Sequence, residues 1–150
     1  MSQIDATIHK TAVNQFPLLL QIWEQSVRAS HHFLNETQID QIKTLIIQHH
    51  YFDHVELFHV EHQQHIAGFV GVAYDKIEML FVAPEFFLSF IGSTLLQHSL
   101  SLGIKTVDVN EQNPDALAFY LHHGFEQIAR SELDAEGNPF PILHLKHKAS

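Results

Sequence analysis

The sequence contains no cysteine. Disulfides, thiolate metal sites and a cysteine nucleophile are therefore excluded together. That absence is compatible with a reducing cytosol. Basic residues are scarce: eight Lys and Arg against seventeen Asp and Glu give a formal net charge of −9. The basic residues stand singly, so no patch is available to neutralise phosphates, and no nucleic-acid partner is expected. An acidic surface more readily attracts a cation, an amine among them. No apolar run approaches the roughly 18 residues a membrane span requires. Met1 to Lys10 also lacks the basic and apolar blocks of a signal peptide. A cytoplasmic protein with no membrane partner is the expectation. Six Gly and five Pro are spread along the chain without forming a linker. With 150 residues and 45% hydrophobic content, one core can be buried, and a single domain over residues 1–150 is expected.

Periodicity supplies the elements. Thr7 to Lys10 reads as a short strand. Asn14 to Ala29 reads as a helix, with Leu18, Ile22, Trp23 and Val27 on one face and Asn14 as its cap. A second helix starts at Thr37. Val55–Glu61 and Ile66–Tyr74 are strands joined by the short polar turn His62-Gln63-Gln64-His65. Gly68 and Gly71 predict a bulge or a close backbone approach in the second of them. Lys76–Val82 is a strand, Phe86–Leu102 a helix closed by Gly103, and Thr106–Val109 a buried strand. A helix from Pro114 to His123 ends at Gly124. Two final strands, Phe125–Glu132 and Pro141–Lys146, flank a turn at Gly137-Asn138. The fold class is α/β with α+β character: a mixed sheet with helices on both faces and one parallel crossover.

Three short motifs follow one another in the second half. Leu80-Phe81-Val82-x-Pro84 closes a strand. Asn110-Glu111-Gln112-Asn113 leads into a helix. Ala118-Phe119-Tyr120-x-x-x-Gly124-Phe125 ends that helix and opens the next strand. In this order and spacing they resemble the GNAT N-acetyltransferase superfamily, in particular its small single-domain bacterial members. The resemblance covers most of the chain and is strongest from Ile77 to Tyr120. It implies a GNAT-like acyl-CoA N-acyltransferase fold that binds acetyl-CoA as co-substrate. It implies acetyl transfer to a small-molecule or peptide amine by direct attack in a ternary complex. The rival from another class is a catalytically degenerate acyl-CoA-binding or protein-interaction domain on the same fold.

By that resemblance, backbone groups near Leu80 and Val82 pair with the pantetheine arm, and Asn110 and Asn113 contact it from the neighbouring strand end. Asn113 also suits the cap of the helix at Pro114. The phosphate loop falls on Phe87, Leu88, Ser89, Phe90, Ile91 and Gly92, followed by Ser93. Only Gly92 matches the family pattern there, and Phe90 stands where a glycine lets phosphate approach the backbone. The run containing Phe86, Phe87 and Phe90 reads as core, as a homodimer surface, or as a plug over the cofactor cleft.

The chemistry needs a proton donor for the leaving thiolate and a base for the amine. Tyr120 is the candidate acid, although a phenol near pKa 10 is a weak donor to a thiol near 8.5. An alkyl amine near pKa 10.4 is almost wholly protonated at neutral pH, so a base is required. Glu78, His31 and His32 are the candidates. Strict strand alternation would place Glu78 on the face of Leu80 and Val82. The fourteen histidines, with pairs such as His50 and His54 and the group His59, His62 and His65, raise a metal site only weakly, and no metal is expected.

Overall fold

The computed structural model describes residues 7–87 and 89–148. Leu88 and most of the segment bearing on a signal peptide lie outside them. Seven strands and four α-helices are described. They are β1 (Thr7–Lys10), α1 (Phe16–Ser30), α2 (Glu36–Gln48), β2 (Glu56–His62), β3 (His65–Ala73), β4 (Lys76–Val82), α3 (Ile91–Ser101), β5 (Thr106–Asn110), α4 (Pro114–His122), β6 (Phe125–Ser131) and β7 (Ile142–His147). One sheet holds all seven strands in the order β1-β2-β3-β4-β5-β7-β6. Only β4 and β5 run parallel; every other neighbour is antiparallel. β7 enters between β5 and β6, so the last hairpin folds back into the sheet. None of the described helices is long and apolar enough to cross a membrane.

Helix α1 buries Leu19, Ile22, Trp23, Ser26 and Val27, a stripe at three- and four-residue steps. Leu19 is fully buried while Leu18 is 47% exposed, so the face turns one residue from the expected one. Asn14 does not cap the helix. It lies in a 3-10 turn, Val13–Gln15, whose Gln15 side chain accepts from the Ala12 N–H at 2.8 Å. Helix α2 is capped by Asn35, which accepts from Gln38 N–H while the Gln38 side chain accepts from Asn35 N–H.

Two apolar layers flank the sheet. One packs α3 and α4 over Val60, Val70, Ile77, Val107, Val109, Leu143 and Leu145. The other packs α1 and α2 over Leu57, Phe69, Met79 and Phe81. No described residue of β5, β6 or β7 belongs to that second layer. Helical cover on both faces therefore extends over only half of the sheet: the α1–α2 layer does not reach the β5-β7-β6 half.

The expectation for β3 holds at Gly68, where the backbone is approached closely and the ladder with β2 skips Ala67; at Gly71 the extra residue belongs to the neighbouring strand β4. A Cβ on Gly68 would stand 2.9 Å from Ile91 Cγ2 and 3.0 Å from the Phe81 carbonyl oxygen, so α3 rests directly on the strand. At Gly71 the ladder with β4 shifts: Gly71 faces Met79 while Val72 faces Ile77. Glu78 is the extra residue of that bulge.

Helix α3 starts at Ile91, not Phe86. Pro84–Phe86 is a 3-10 turn, and Ser89 Oγ then donates to the Phe86 carbonyl and accepts from Ile91 N–H. An apolar run of this kind fits a helix by composition. The proline turn and the Ser89 bonds fix where the helix begins.

Candidate active site

The site begins with the bulge at Glu78. A bulge bends its strand and increases its twist. β4 pairs with β5 at only two positions, Lys76 with Thr106 and Ile77 with Val107. Beyond Ile77 the strands part. The bulge also resets the alternation: Ile77, Leu80 and Val82 pack with the α3–α4 layer, while Met79 and Phe81 join the α1–α2 layer. The expected shared face of Glu78, Leu80 and Val82 is thereby lost. Glu78 is exposed and borders the gap.

The gap is a cleft of about 130 Å³. Leu80 and Phe81 line one wall, Asp108 to Asn110 the other, and Asn113, Ala116, Tyr120 and His31 close it. Pro114 opens α4, and Asn113 caps it by accepting from Ala116 N–H at 3.2 Å. Asn110 does not cap that helix. Its side-chain oxygen accepts from Gln112 N–H and its carbonyl from Asn113 N–H, which fixes the turn from β5 into α4. Gly124 follows α4 with φ +91°, a left-handed conformation that suits glycine, and a Cβ there would meet His147 Nε2 at 3.1 Å.

Tyr120 is 6% exposed and sits edge-on between the rings of Phe119 and Phe125. Its hydroxyl makes no hydrogen bond among the described residues, and burial pushes the phenol well above its usual pKa. The same dryness also disfavours a thiolate, so donor and acceptor shift in the same sense.

His31, not His32, enters the cleft; His32 is exposed and forms no part of its lining. Ser30 Oγ donates to the Ser26 carbonyl at 2.7 Å, so at 2.8 Å it accepts from His31 Nδ1–H. His31 Nε2 then accepts from Asn113 Nδ2 at 3.4 Å. Burial first, and neighbouring His32 second, hold the His31 pKa below its usual value. The neutral ring links the end of α1 to the cap of α4.

The first turn of α3 lies beside the cleft. A Cβ on Gly92 would meet the Phe119 ring at 3.4 Å and Val82 at 3.8 Å, which measures how closely α3 approaches α4 and β4. Ser93 Oγ lies 3.1 Å from His123 Nε2. Phe87 and Phe90 are 42% and 63% exposed, and neither lines the cleft, so they plug nothing there. Phe90 has φ −79° and ψ −1°, a conformation open to any residue, so the loop does not demand glycine at that point. Among the described residues no three His, Asp or Glu side chains converge on a point that could hold a metal. His50 has φ +51° and precedes the 3-10 turn Tyr51–His54, which removes the helical spacing from the His50–His54 pair. Asp108 was not singled out by the sequence reading. Its signal is a charged residue between two buried valines.

The acetyltransferase (GNAT) domain model matches residues 53–127. The chain belongs to the GNAT acetyltransferase family. The peptidyl-lysine N-acetyltransferase YjaB of Salmonella typhimurium is 35% identical over 129 residues, covering 85% of this chain and 88% of that protein. The solution structure of apo YjaB from Escherichia coli superposes with a TM-score of 0.86 at 28% identity, covering 97% of this chain and 99% of that one. The PaiA N-acetyltransferase of Thermoplasma acidophilum in complex with coenzyme A has a TM-score of 0.67 at 19% identity, covering 98% and 100%, a likeness of fold. This GNAT protein is an N-acetyltransferase that moves an acetyl group from acetyl-CoA to an amine.

Proposed function

We propose that this GNAT protein acetylates lysine side chains of a peptide or protein in the cytoplasm, with acetyl-CoA held in the gap between β4 and β5. The parting of these strands after two paired positions carries the reading. Beyond Ile77 the β4 edge offers unpaired backbone groups, and an extended pantetheine arm can bond to such an edge as an added strand would. The first turn of α3, with Gly92 and Ser93, supplies orphan N–H groups and the positive end of a helix dipole to the pyrophosphate. Phe87, Ser89 and Ile91 form the approach to that turn. Asn110 and Asn113 border the same cleft from the β5 side.

In this reading, an N–H of the β4 edge near Leu80 polarises the thioester oxygen, a role worth about 3 kcal/mol in known oxyanion holes. The amine attacks in a ternary complex. Tyr120, with no competing partner among the described residues, donates its hydroxyl proton to the departing sulfur. Glu78 at the cleft mouth can accept a proton through water. His32 points to no role in the cleft, and His31 Nε2 is already engaged by Asn113. The named substrate of YjaB, a peptidyl lysine, supports the choice of acceptor.

Calorimetric titration with acetyl-CoA, followed by mass spectrometry of a lysine peptide, tests the reading. Binding tighter than about 100 μM, or roughly −5.5 kcal/mol, together with an added acetyl group on lysine is the expected result. Absent binding refutes the cleft assignment. Binding with no acetylated lysine refutes the acceptor class.

A further inference from the structure

The carboxamide of Asn113 is oriented from two sides. Its Oδ1 accepts from the Ala116 N–H at 3.2 Å, which caps α4. Its Nδ2 lies 3.4 Å from His31 Nε2. The Ser30 hydroxyl donates to the Ser26 carbonyl, so it accepts from His31 Nδ1–H, and Nε2 keeps its lone pair. Only an N–H can meet that lone pair, and only an oxygen can meet the Ala116 N–H. Both demands select the same orientation of the amide. A carboxamide nitrogen carries two hydrogens. The second has no acceptor among the described residues, and Asn113 lines the cleft between β4 and β5.

His31 lines the same cleft, so the link lies inside the site and not behind it. Its backbone is tied on both sides. The His31 N–H donates to the Val27 carbonyl at 2.8 Å, and its carbonyl accepts from the Leu34 N–H at 3.0 Å. The ring lies against Phe33 and Phe81, with centroids 5.4 and 6.5 Å away. The charged groups around it are accounted for element by element. His32 follows it in the chain. β4 brings Glu78 to the cleft and β5 brings Asp108, which Lys76 and His144 bond. The turn into α4 carries Glu111, paired with Arg130, and α4 opens with Asp115. Glu36 at the start of α2 is paired with Arg28 of α1. Among the described residues none of these carboxylates bonds to His31. Burial first and His32 second hold its pKa below the usual histidine value.

We propose that His31 is a positioning residue for acetyl-CoA: it presets the free N–H of Asn113 to meet an amide carbonyl of the pantetheine arm. This rests on the transfer reading above, which puts that arm in the cleft. Pantetheine carries amide groups in an otherwise flexible chain, and a preset donor has less freedom to lose on binding than a mobile one. The link is also sensitive to protons. Protonation of His31 puts an N–H where the lone pair was, so two donors face each other. The Asn113 amide then gives up either this contact or the α4 cap. The neutral ring therefore favours bound coenzyme. Affinity is full above about pH 6.5, the ordinary histidine value, and falls as pH drops through the lower value of the folded chain. By reciprocity, bound acetyl-CoA depresses the His31 pKa further.

The test compares the wild type with His31→Leu, His31→Gln and Asn113→Asp. Leucine offers no acceptor, whereas glutamine offers an oxygen near the place of Nε2 and does not titrate. In His31→Leu, KM for acetyl-CoA is expected to rise about fivefold while kcat stays within about twofold of wild type. His31→Gln should recover most of that loss. From pH 8 to pH 5, calorimetric affinity should weaken at least about fivefold more in wild type than in His31→Gln. The coenzyme's own phosphate titrates alike in both proteins, so the ratio reports the ring. Adenosine bisphosphate, the nucleotide of the coenzyme without its arm, should bind wild type and His31→Leu equally. Ring-proton NMR adds a readout apart from activity, with the His31 signal assigned by its loss in His31→Gln. That signal should titrate below about pH 6.5 in wild type and lower still with acetyl-CoA. In Asn113→Asp it should titrate higher, because a carboxylate accepts from the imidazolium. An unchanged KM in His31→Leu overturns the positioning role. Equal pH dependence in wild type and His31→Gln, weaker bisphosphate binding in His31→Leu, or a His31 signal unmoved by acetyl-CoA does so as well. If His31→Leu fails to fold, His31→Gln and the NMR titration still decide. A wild type that does not bind acetyl-CoA overturns the transfer reading, and the positioning role with it.

Discussion

Tyr120 combines a ring packed between Phe119 and Phe125 with a hydroxyl that has no hydrogen-bond partner among the described residues. The ring serves stability and the oxygen is free for chemistry. Tyr120→Phe should therefore slow acetyl transfer about 10- to 1000-fold. The melting temperature should move by less than about 2 °C, since removing a buried unbonded hydroxyl breaks no bond. Steady-state kinetics beside a thermal melt separates the two effects. His31 offers a second check through pH. Its folded pKa is depressed, mainly by burial, so the unfolded chain binds its proton more readily. The stability from neutral His31 is then intact above about pH 6.5, the ordinary histidine value, and is lost as pH falls through the lower folded value. Between pH 8 and pH 5 the wild type should lose more thermal stability than His31→Gln does. Equal pH slopes would contradict a neutral, engaged His31.

The β2–β3 hairpin turns on Gln63 and Gln64, with φ of +50° and +67°. Two consecutive left-handed residues make the mirror-type turn that favours Asn-Gly. The double change Gln63→Asn, Gln64→Gly should raise stability by about 1 kcal/mol, read as a melting temperature roughly 2–4 °C higher. It should leave acetylation unchanged, because neither residue lines the cleft. At Gly68 the sign reverses. A methyl group there meets the Phe81 carbonyl as well as Ile91, and Gly68→Ala should cost about 1–3 kcal/mol in a denaturant titration. These elements also show what the sequence discloses. The Asn113 cap and the Gly124 stop depend on neighbours within a few residues, and their residue types announce them. The Glu78 bulge depends on Gly71 and Val72 in another strand, and the start of α3 on Ser89 bonds that an apolar run conceals. His31 and His32 differ by one residue of phase, decided where α1 ends with φ −96° and ψ +67° at His31. The motif-bearing half of the cleft, with Asn110, Asn113 and Tyr120, was legible in advance. The place of Asp108 in the cleft wall, and its 2.7 Å contact with His144, were not, because strands far apart in sequence bring them together.

Across the whole molecule, one sheet carries two differently covered halves, and the cleft marks where they separate. A ligand filling that gap binds only the folded chain. At a hundredfold excess over its Kd, acetyl-CoA should add about 2.7 kcal/mol, or roughly 5–10 °C of melting temperature. A melt unmoved by saturating acetyl-CoA would contradict occupancy of the gap. The placement of β7 has a further consequence, for the order of events during synthesis. β6 has no other neighbour in the sheet, and β5 reaches β6 only through β7. On the ribosome, both strands leave the exit tunnel before the segment that joins them. Until the chain has emerged through His147, the nascent protein can assemble its amino-terminal hairpins, but it holds two unpaired edges where the second half of the sheet will close.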